Sequence, residues 1–297
     1  LREKNPDYLV VIFDAARENF RNQIYPAYKA NRQETPPELI PQFSLIRDAC
    51  DAFDVPHIEK EGYEADDLIA TYAHSQPGDV TIVSSDKDLM QLVGGSVKML
   101  DPIKNRMIGV EEVIEKFGVP PEKVADIQAL AGDPTDNVPG VPGIGIKTAS
   151  ELIQTYGTLE NLLEHASEIK QPKRREALIE HAENARISKE LVKLKDDVPG
   201  AEPLEMFAVK PFRPEKAFAF LKEQSFNALI HRLEKEGPAV PQEKATYELI
   251  QDTEALKKWT DRIHRLGFMA FDTETTSLDA MEAQLVGVCL ATDVSQA

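Results

Sequence analysis

The sequence predicts an α/β protein with a Rossmann-like parallel sheet flanked by helices, and three observations carry that prediction. Residues 8–13 (YLVVIF) and 79–84 (DVTIVS) are continuous, β-branched apolar runs of the kind that forms a buried parallel strand. Stretches with helical apolar spacing separate them. Each run leads into acidic residues, Asp14 after the first and Asp86 and Asp88 after the second. In open α/β sheets ligands sit beyond the carboxyl ends of the strands, so these carboxylates are placed for chemistry. An isolated Asp14 would also serve as a turn or helix-cap residue.

At 297 residues the chain has room for one large domain and part of another. Its 42% hydrophobic and 29% charged residues fit a soluble globular protein. No apolar run approaches the ~20 residues of a membrane helix, and the polar, charged residues 1–7 do not read as a signal peptide. Only Cys50 and Cys289 occur, too few for a disulfide framework, so a reducing cytoplasm is expected. The net charge of −17 opposes nucleic-acid binding on average. Any DNA-facing charge must therefore be local, and a site rich in carboxylates would itself account for part of the excess.

After the first strand, Arg17, Arg21, Lys29 and Arg32 interleave with Phe20, Tyr25 and Tyr28. That pattern suits an element that grips phosphates, or an ordinary solvated amphipathic helix. Residues 41–53 have helical spacing (Phe43, Ile46, Ala49, Cys50, Phe53) and read as a core-packed helix. A short strand over 55–58 follows. Glu64, Asp66 and Asp67 then open a helix with Ala65, Leu68, Ile69, Tyr72 and Ala73 facing inward. The helix dipole favours acids in a first turn. Glu64 and Asp67 share a face, however, and their repulsion must be offset, most simply by a cation. In extended chain Asp86 and Asp88 would point the same way. A small hairpin (97–100 with 107–108) and two helices around Pro120-Pro121 complete the region to residue 130.

Residues 131–149 (AGDPTDNVPGVPGIGIKTA) carry two chemistries side by side. Asp133 and Asp136 are three apart and would face the same way on a helical or tight turn. Such a pair suits a hard cation, because Mg²⁺ prefers carboxylate oxygens and water. Gly140, Gly143 and Gly145 permit positive φ and close backbone approach, and with Lys147 and Thr148 they lead into a helical run. Exposed N–H groups there would seat a phosphate. The plain alternative is an acidic turn followed by a Pro/Gly connector. With Asp14, Glu64, Asp66, Asp67, Asp86 and Asp88, the carboxylates number enough for two divalent ions about 3.5–4 Å apart, the arrangement that hydrolyses phosphodiesters. No zinc-type Cys/His spacing and no Ser-His-Asp set competes.

Beyond the glycine turn, helices are expected over 148–163, 174–195 and 214–235, then a Gly/Pro linker, a strand over 246–250 and a helix over 253–265. Lys170, Lys173, Arg174 and Arg175 form a basic cluster that is either solvated or a duplex contact. A strand over 268–275, paired with 285–291, carries Asp272 and Glu274 two residues apart.

Several of these segments are similar to known families. PGxxGIGxKTA resembles the helix-hairpin-helix phosphate clamp of DNA repair enzymes. GDPTDNVPGVPGIGIKTA, GYEADD, SSDKDLMQL and FDAARENFRNQIYPAYKANR together resemble the flap endonuclease family of 5′ nucleases, and FDTETTSLD resembles the first motif of DEDD-type 3′→5′ proofreading exonucleases. The resemblance implies a PIN-type catalytic region over 1–130 and a helix-hairpin-helix subdomain over 131–236. A linker at 237–245 and the opening of a ribonuclease H-like domain over 246–297 would follow. It implies metal-binding and catalytic roles for the eight carboxylates, and DNA contacts from Arg21, Tyr28, Lys29, Arg32, Gly140, Gly143, Gly145, Lys147 and Thr148. Two Mg²⁺ ions are expected, with Mn²⁺ able to substitute. The partner would be DNA as a 5′ flap, nick or primer-bearing duplex, handled by a cytoplasmic monomer. The order of the two modules is similar to that of bacterial DNA polymerases carrying both nucleases, which implies polymerase activity in the whole protein.

Two departures from the pattern bear on activity. Ala16-Arg17 stands where the family often has Lys-Gly, and the family's first strand, with a further metal-binding Asp, and the basic helix after it would precede Leu1. The chain alone is therefore expected to be weakly active. The second acidic pair is expected to be incomplete, its partner motifs lying beyond Ala297. A non-catalytic DNA-structure-binding module with a structural cation is the competing reading. A carboxylate-rich phosphatase is another, though it gives no reason for the clamp.

Overall fold

In the computed structural model, which describes residues 5–75, 78–236, 247–277 and 279–293, the chain forms two compact units, 1–220 and 221–297. In the first unit β1 (Val11–Phe13) runs parallel to β2 (His57–Glu59), pairing Ile12 with Ile58. Between them lie α1 (Phe20–Ile24), capped by the Asn19 side chain, and α2 (Ile40–Ala52). Next come α3 (Ala65–Ser75) and β3 (Val80–Val83), which pairs in parallel with β4 (Val97–Asp101); β5 (Arg106–Ile108) closes a hairpin on β4.

The remaining helices of this unit follow in order. They are α4 (Val110–Phe117), α5 (Val124–Ala131), α6 (Ile146–Tyr156), α7 (Leu159–Glu164), α8 (Pro172–Glu180) and α9 (Ala182–Val192). Local chemistry sets several of their ends. Glu112 accepts the Gly109 N–H to start α4, and Thr158 accepts the Asn161 N–H to start α7. Helix α10 (Pro214–Glu223) spans the division between the units.

A single buried cluster runs from Tyr28 to Leu194, through Met99, Val113, Phe117, Ile127 and Leu159, and it crosses the 130/131 division expected from the sequence. The loop between α5 and α6 is tied to that core by the buried Val138, Val141 and Ile144 and by backbone hydrogen bonds. Asp133 and Val138 exchange both N–H···O bonds (3.0 and 2.8 Å), and Val141 donates to Leu130. Gly140, at φ 60°, lies so close to Gly132 that a β-carbon there would sit 2.5 Å from the Gly132 nitrogen.

The α/β class is as the sequence predicts, with differences in detail. The parallel strands form two separate pieces among the described residues, β1–β2 and β3–β4–β5. The first strand is short because residues 7–9 pair elsewhere: Leu9 donates to Phe207 and Val209 to Asp7, each at 2.9 Å. Helix α2 is not core-packed, since Phe43 and Ile46 are 43% and 47% exposed and only Ala52 is buried. The helix expected over 174–195 breaks at His181, and that over 214–235 breaks at Ser225, whose φ of 59° cannot continue a right-handed helix. Of residues 15–35 only α1 is helical.

The second unit contains α11 (Asn227–Glu236), α12 (Thr253–Leu266) and an antiparallel hairpin of β6 (Ala270–Thr275) and β7 (Leu285–Ala291). Asp252 caps α12, and the buried Trp259 indole donates to Glu248. Residues 247–250 form no strand, and the expected linker lies outside the described residues.

Replacing Gly140 by Ala is expected to cost about 2 kcal/mol or more, because neither backbone can retreat from the new β-carbon. Urea denaturation of Gly140→Ala beside Gly143→Ala, where no atom lies within 4 Å, isolates the steric part.

Candidate active site

Three separate segments supply carboxylates to one small cleft. Glu64 and Asp66 come from the start of α3, Asp86 and Asp88 from the turn after β3, and Asp133 and Asp136 from the 132–138 loop. Asp86 and Asp88 arrive there by a different route from the expected strand end. Asp86 accepts the Asp88 N–H (3.0 Å), and Asp88 opens a 3₁₀ turn over Asp88–Leu92. The cavity holds about 50 Å³, room for a few waters.

Two of the eight candidate carboxylates do not line this cleft. Asp14 is exposed and accepts the Ala65 N–H at 2.7 Å, so it caps α3. Asp67 is fully buried. Both its oxygens bind the Arg21 guanidinium (2.7 and 2.8 Å), and each takes one further N–H, from Lys195 (2.9 Å) and Glu64 (3.1 Å). With four donors satisfied, Asp67 has no lone pair left for a metal in this arrangement. Arg21, expected at DNA, is 1% exposed; its remaining N–H groups reach the Leu191 carbonyl (2.7 Å) and the Lys193 carbonyl (3.3 Å). The cation that offsets the Glu64–Asp67 repulsion is thus Arg21 itself.

Tyr28 is likewise a buried positioning group, its hydroxyl donating to Glu64 at 3.1 Å. Burial and the Glu64 charge push that phenol far above its ordinary range. Asn19 donates to the other Glu64 oxygen (3.1 Å), as does Lys29. Lys29 reaches on to Asp136 (3.7 Å), and Arg32, half exposed, pairs with Asp136 at 2.7 Å. Lys87 pairs with Asp133. Burial disfavours charge on both partners, yet the pairing wins: Lys87 is held above its ordinary range and Asp133 below.

Asp66 and Asp88 form no such ion pair among the described residues. Burial first, then Asp86, Glu64, Asp88 and Asp14, raise Asp66 to about 7. Burial and Asp86 raise Asp88 to about 6, against a lowering hydrogen bond from Gln128. Around these two acids the cleft is short of positive charge.

The clamp glycines divide. The Gly140 N–H is buried and spent on the Ser188 hydroxyl (2.9 Å), so it is no phosphate donor; its role is the close approach to Gly132. Gly143 and Gly145 are exposed with open space around them, and Gly145 starts α6 beside exposed Lys147 and half-buried Thr148. Asp272 and Glu274 are both exposed on β6, in the second unit.

Sequence reasoning missed the amides. Asn137 donates to the Ala27 carbonyl (2.6 Å) and Asn31 to the Pro134 carbonyl (2.7 Å), while the Lys29 N–H meets the Asp136 carbonyl (2.9 Å). These bonds strap residues 27–32 to the second acidic loop. Gln128 donates to Asp88 at 2.5 Å from within α5. Its signal was legible, a long amide in an otherwise largely apolar helix (VADIQALA).

Together these features define an α/β protein whose loops assemble an acidic cleft beside a helix-entering glycine turn. Two family profiles match in succession: "5′-3′ exonuclease, N-terminal resolvase-like domain" over residues 1–118 and "5′-3′ exonuclease, C-terminal SAM fold" over 119–215. The chain belongs to this 5′-3′ exonuclease family. It is 42% identical to DNA polymerase I of Rhizobium leguminosarum, over 96% of this chain and 36% of that protein. It is 38% identical to the thermostable DNA polymerase I of Thermus thermophilus, over 83% and 30%. The chain thus spans about a third of the length of the curated relatives it matches. The solved T5 5′-exonuclease with divalent metal ions (zinc) shares the fold, with a TM-score of 0.59 at 23% identity over 75% of this chain and 84% of that one. A T5 D15 flap endonuclease complex with DNA and metal ions also scores 0.59, at 21% identity over 74% and 86%.

The donor set suits a hard divalent cation: carboxylate oxygens, two of them on acids whose proton affinity is raised by burial and by neighbouring negative charge, and no sulfur or imidazole. As they stand, no three His, Cys, Asp or Glu side chains among the described residues are close enough to share one ion. Lys29, Arg32 and Lys87 take up much of that charge instead.

Two outcomes follow. Arg21→Met strands a buried carboxylate and is expected to cost about 3–5 kcal/mol in urea denaturation, with Asp67→Asn in that background restoring part of the loss. For Asp66 and Asp88 the folded state binds protons more tightly than the unfolded chain, so their contribution is full below about pH 4 and lost through pH 6–7. Without divalent cations, Asp66→Asn is therefore expected to raise Tm at pH 8, by at least about 2 °C, and to change it little at pH 4. Calorimetry at the two pH values checks this.

Proposed function

We propose that the chain is the 5′ nuclease portion of a DNA polymerase I-type protein, and that it hydrolyses phosphodiester bonds at 5′ ends and flaps of DNA. The observation that carries the reading is the convergence of six carboxylates from three segments on one cleft edged by Lys29 and Arg32. Glu64, Asp66, Asp86, Asp88, Asp133 and Asp136 would hold Mg²⁺, with Mn²⁺ able to replace it. When bound, such a cation polarises the phosphodiester and lowers the pKa of water.

The residues of the chain supply the rest. Lys29 and Arg32 stand beside the cleft as cations that can turn from Glu64 and Asp136 to a substrate phosphate. Gly143, Gly145, Lys147 and Thr148 present an N-terminal helix turn to the duplex backbone, which fixes position without reading sequence. Arg21, Asp67, Tyr28 and Asn19 hold Glu64 in place and touch no substrate. In the whole protein we infer a DNA-directed DNA polymerase acting as a cytoplasmic monomer, the nuclease removing flaps and RNA primers. The pair Asp272 and Glu274 belongs, on this reading, to an adjoining 3′→5′ exonuclease domain.

The cation-filled cleft favours a second reading. Ammonium and guanidinium groups already neutralise part of the acidic set, as they would in a module that binds DNA structure without cutting it. Cleavage of a 5′-labelled flap duplex by the full-length protein separates the two. Mg²⁺-dependent cutting is expected to stop with EDTA and to fall at least 10³-fold in Asp86→Ala, as for loss of a group acting on the reacting phosphate. Lys147→Ala is expected to weaken duplex binding and flatten its salt dependence by about one unit of slope. Flap binding with no cutting at any Mg²⁺ or Mn²⁺ concentration would leave the binding module standing.

A further inference from the structure

Gln128 lies in α5 and is 6% exposed, yet it is one of the groups that line the acidic cleft. Its backbone is occupied in the ordinary way, the carbonyl accepting the Gly132 N–H at 2.8 Å to end the helix. Its side chain is not. The amide nitrogen donates to Asp88 Oδ1 at 2.5 Å, which fixes the amide's orientation, because a carboxylate can only accept. The amide oxygen, Oε1, is buried and meets no hydrogen-bond donor among the described residues.

A buried acceptor without a donor is costly, and native structures keep one where something outside the protein's own list of groups completes it. The cleft narrows the choice of partner. An acceptor oxygen repels phosphate oxygens, so the missing partner is a donor. The cations already present are engaged elsewhere: Lys29 on Glu64, Arg32 on Asp136 and Lys87 on Asp133. The cavity is large enough for water, and a water on a divalent cation is a strong donor that a carboxylate-lined cleft would hold.

We propose that Gln128 is a positioning residue for the cleft's divalent cation: its N–H tethers Asp88 and its Oε1 accepts from a water bound to that cation. This rests on the reading of the cleft as a divalent-cation site. The two halves of one amide then set the ligand and its water at a fixed spacing, which neither an apolar nor a purely cationic side chain can do.

The test reads cation binding, not cleavage. Mn²⁺ binding to the 297-residue chain is followed by electron paramagnetic resonance, the cleft site being the one lost in Asp86→Asn. Gln128→Leu removes donor and acceptor with little change of volume. It is expected to weaken that site about 10-fold or more, matching the loss typical for an outer partner of a metal site, while the metal-free Tm holds. Gln128→Glu keeps the acceptor but replaces the donor to Asp88 by a second carboxylate, so it is expected to bind Mn²⁺ more tightly than Gln128→Leu. Wild-type affinity in Gln128→Leu overturns the proposal and leaves the cleft reading intact. Weakening in Gln128→Glu to the level of Gln128→Leu also overturns it, since the acceptor would then be irrelevant. Absence of a cleft-specific Mn²⁺ signal in the wild type defeats the proposal and the cleft reading together.

Discussion

The buried pair of Arg21 and Asp67 is the interaction on which the geometry of the cleft depends. One guanidinium joins α1, the first turn of α3 and the chain leaving α9, through two carboxylate bonds and two backbone carbonyls. Taking both charges out of water is expensive, and only the complete set of partners offsets it. The result is that Glu64 enters the cleft from a fixed backbone, with its own N–H held by Asp67. The acids that remain in the cleft can then repel one another without moving the helix that carries them.

The overall charge of −17 and the presence of a nucleic-acid enzyme's architecture are reconciled by this local arrangement. Positive groups stand directly beside the acidic set, with Lys29, Arg32 and Lys87 each on a cleft carboxylate. Electrostatics acts over a Debye length of about 8 Å in physiological salt, so the sign of the distant surface matters less than the sign at the cleft's rim.

Much of this was legible in the sequence, and the gaps have physical causes. The short β-branched runs, the hairpin at β4–β5 and the strand pair at β6–β7 follow from period and turn residues. Acid-rich motifs located three of the cleft's segments, because few structural roles need carboxylates at such density. What motif reading could not do is tell direction. Asp67 and Asp66 are adjacent letters, yet one faces a buried arginine and the other the cleft, a difference fixed by helix phase and by a residue 46 positions away. Arg21 read as a DNA contact for the same reason: composition gives charge, not burial. Helix α2 was expected in the core from its spacing alone, and spacing does not say whether another element lies against the apolar face. The amides were overlooked because Asn and Gln carry no charge pattern, although Asn137 and Asn31 make the bonds that assemble the cleft's far wall.

Those asparagine bonds have a thermodynamic consequence. The strand-gripping candidates Lys29 and Arg32 sit on a stretch of chain strapped to the loop that bears Asp133 and Asp136, and Arg32 is paired directly with Asp136. A ligand that draws Arg32 outward also unmasks the Asp136 carboxylate, and a ligand that claims Asp136 releases the guanidinium. The two events share one free energy, so each must favour the other by the same factor. Were an anion to claim Arg32 and a cation Asp136, the two captures would be, in this fold, two readings of a single equilibrium.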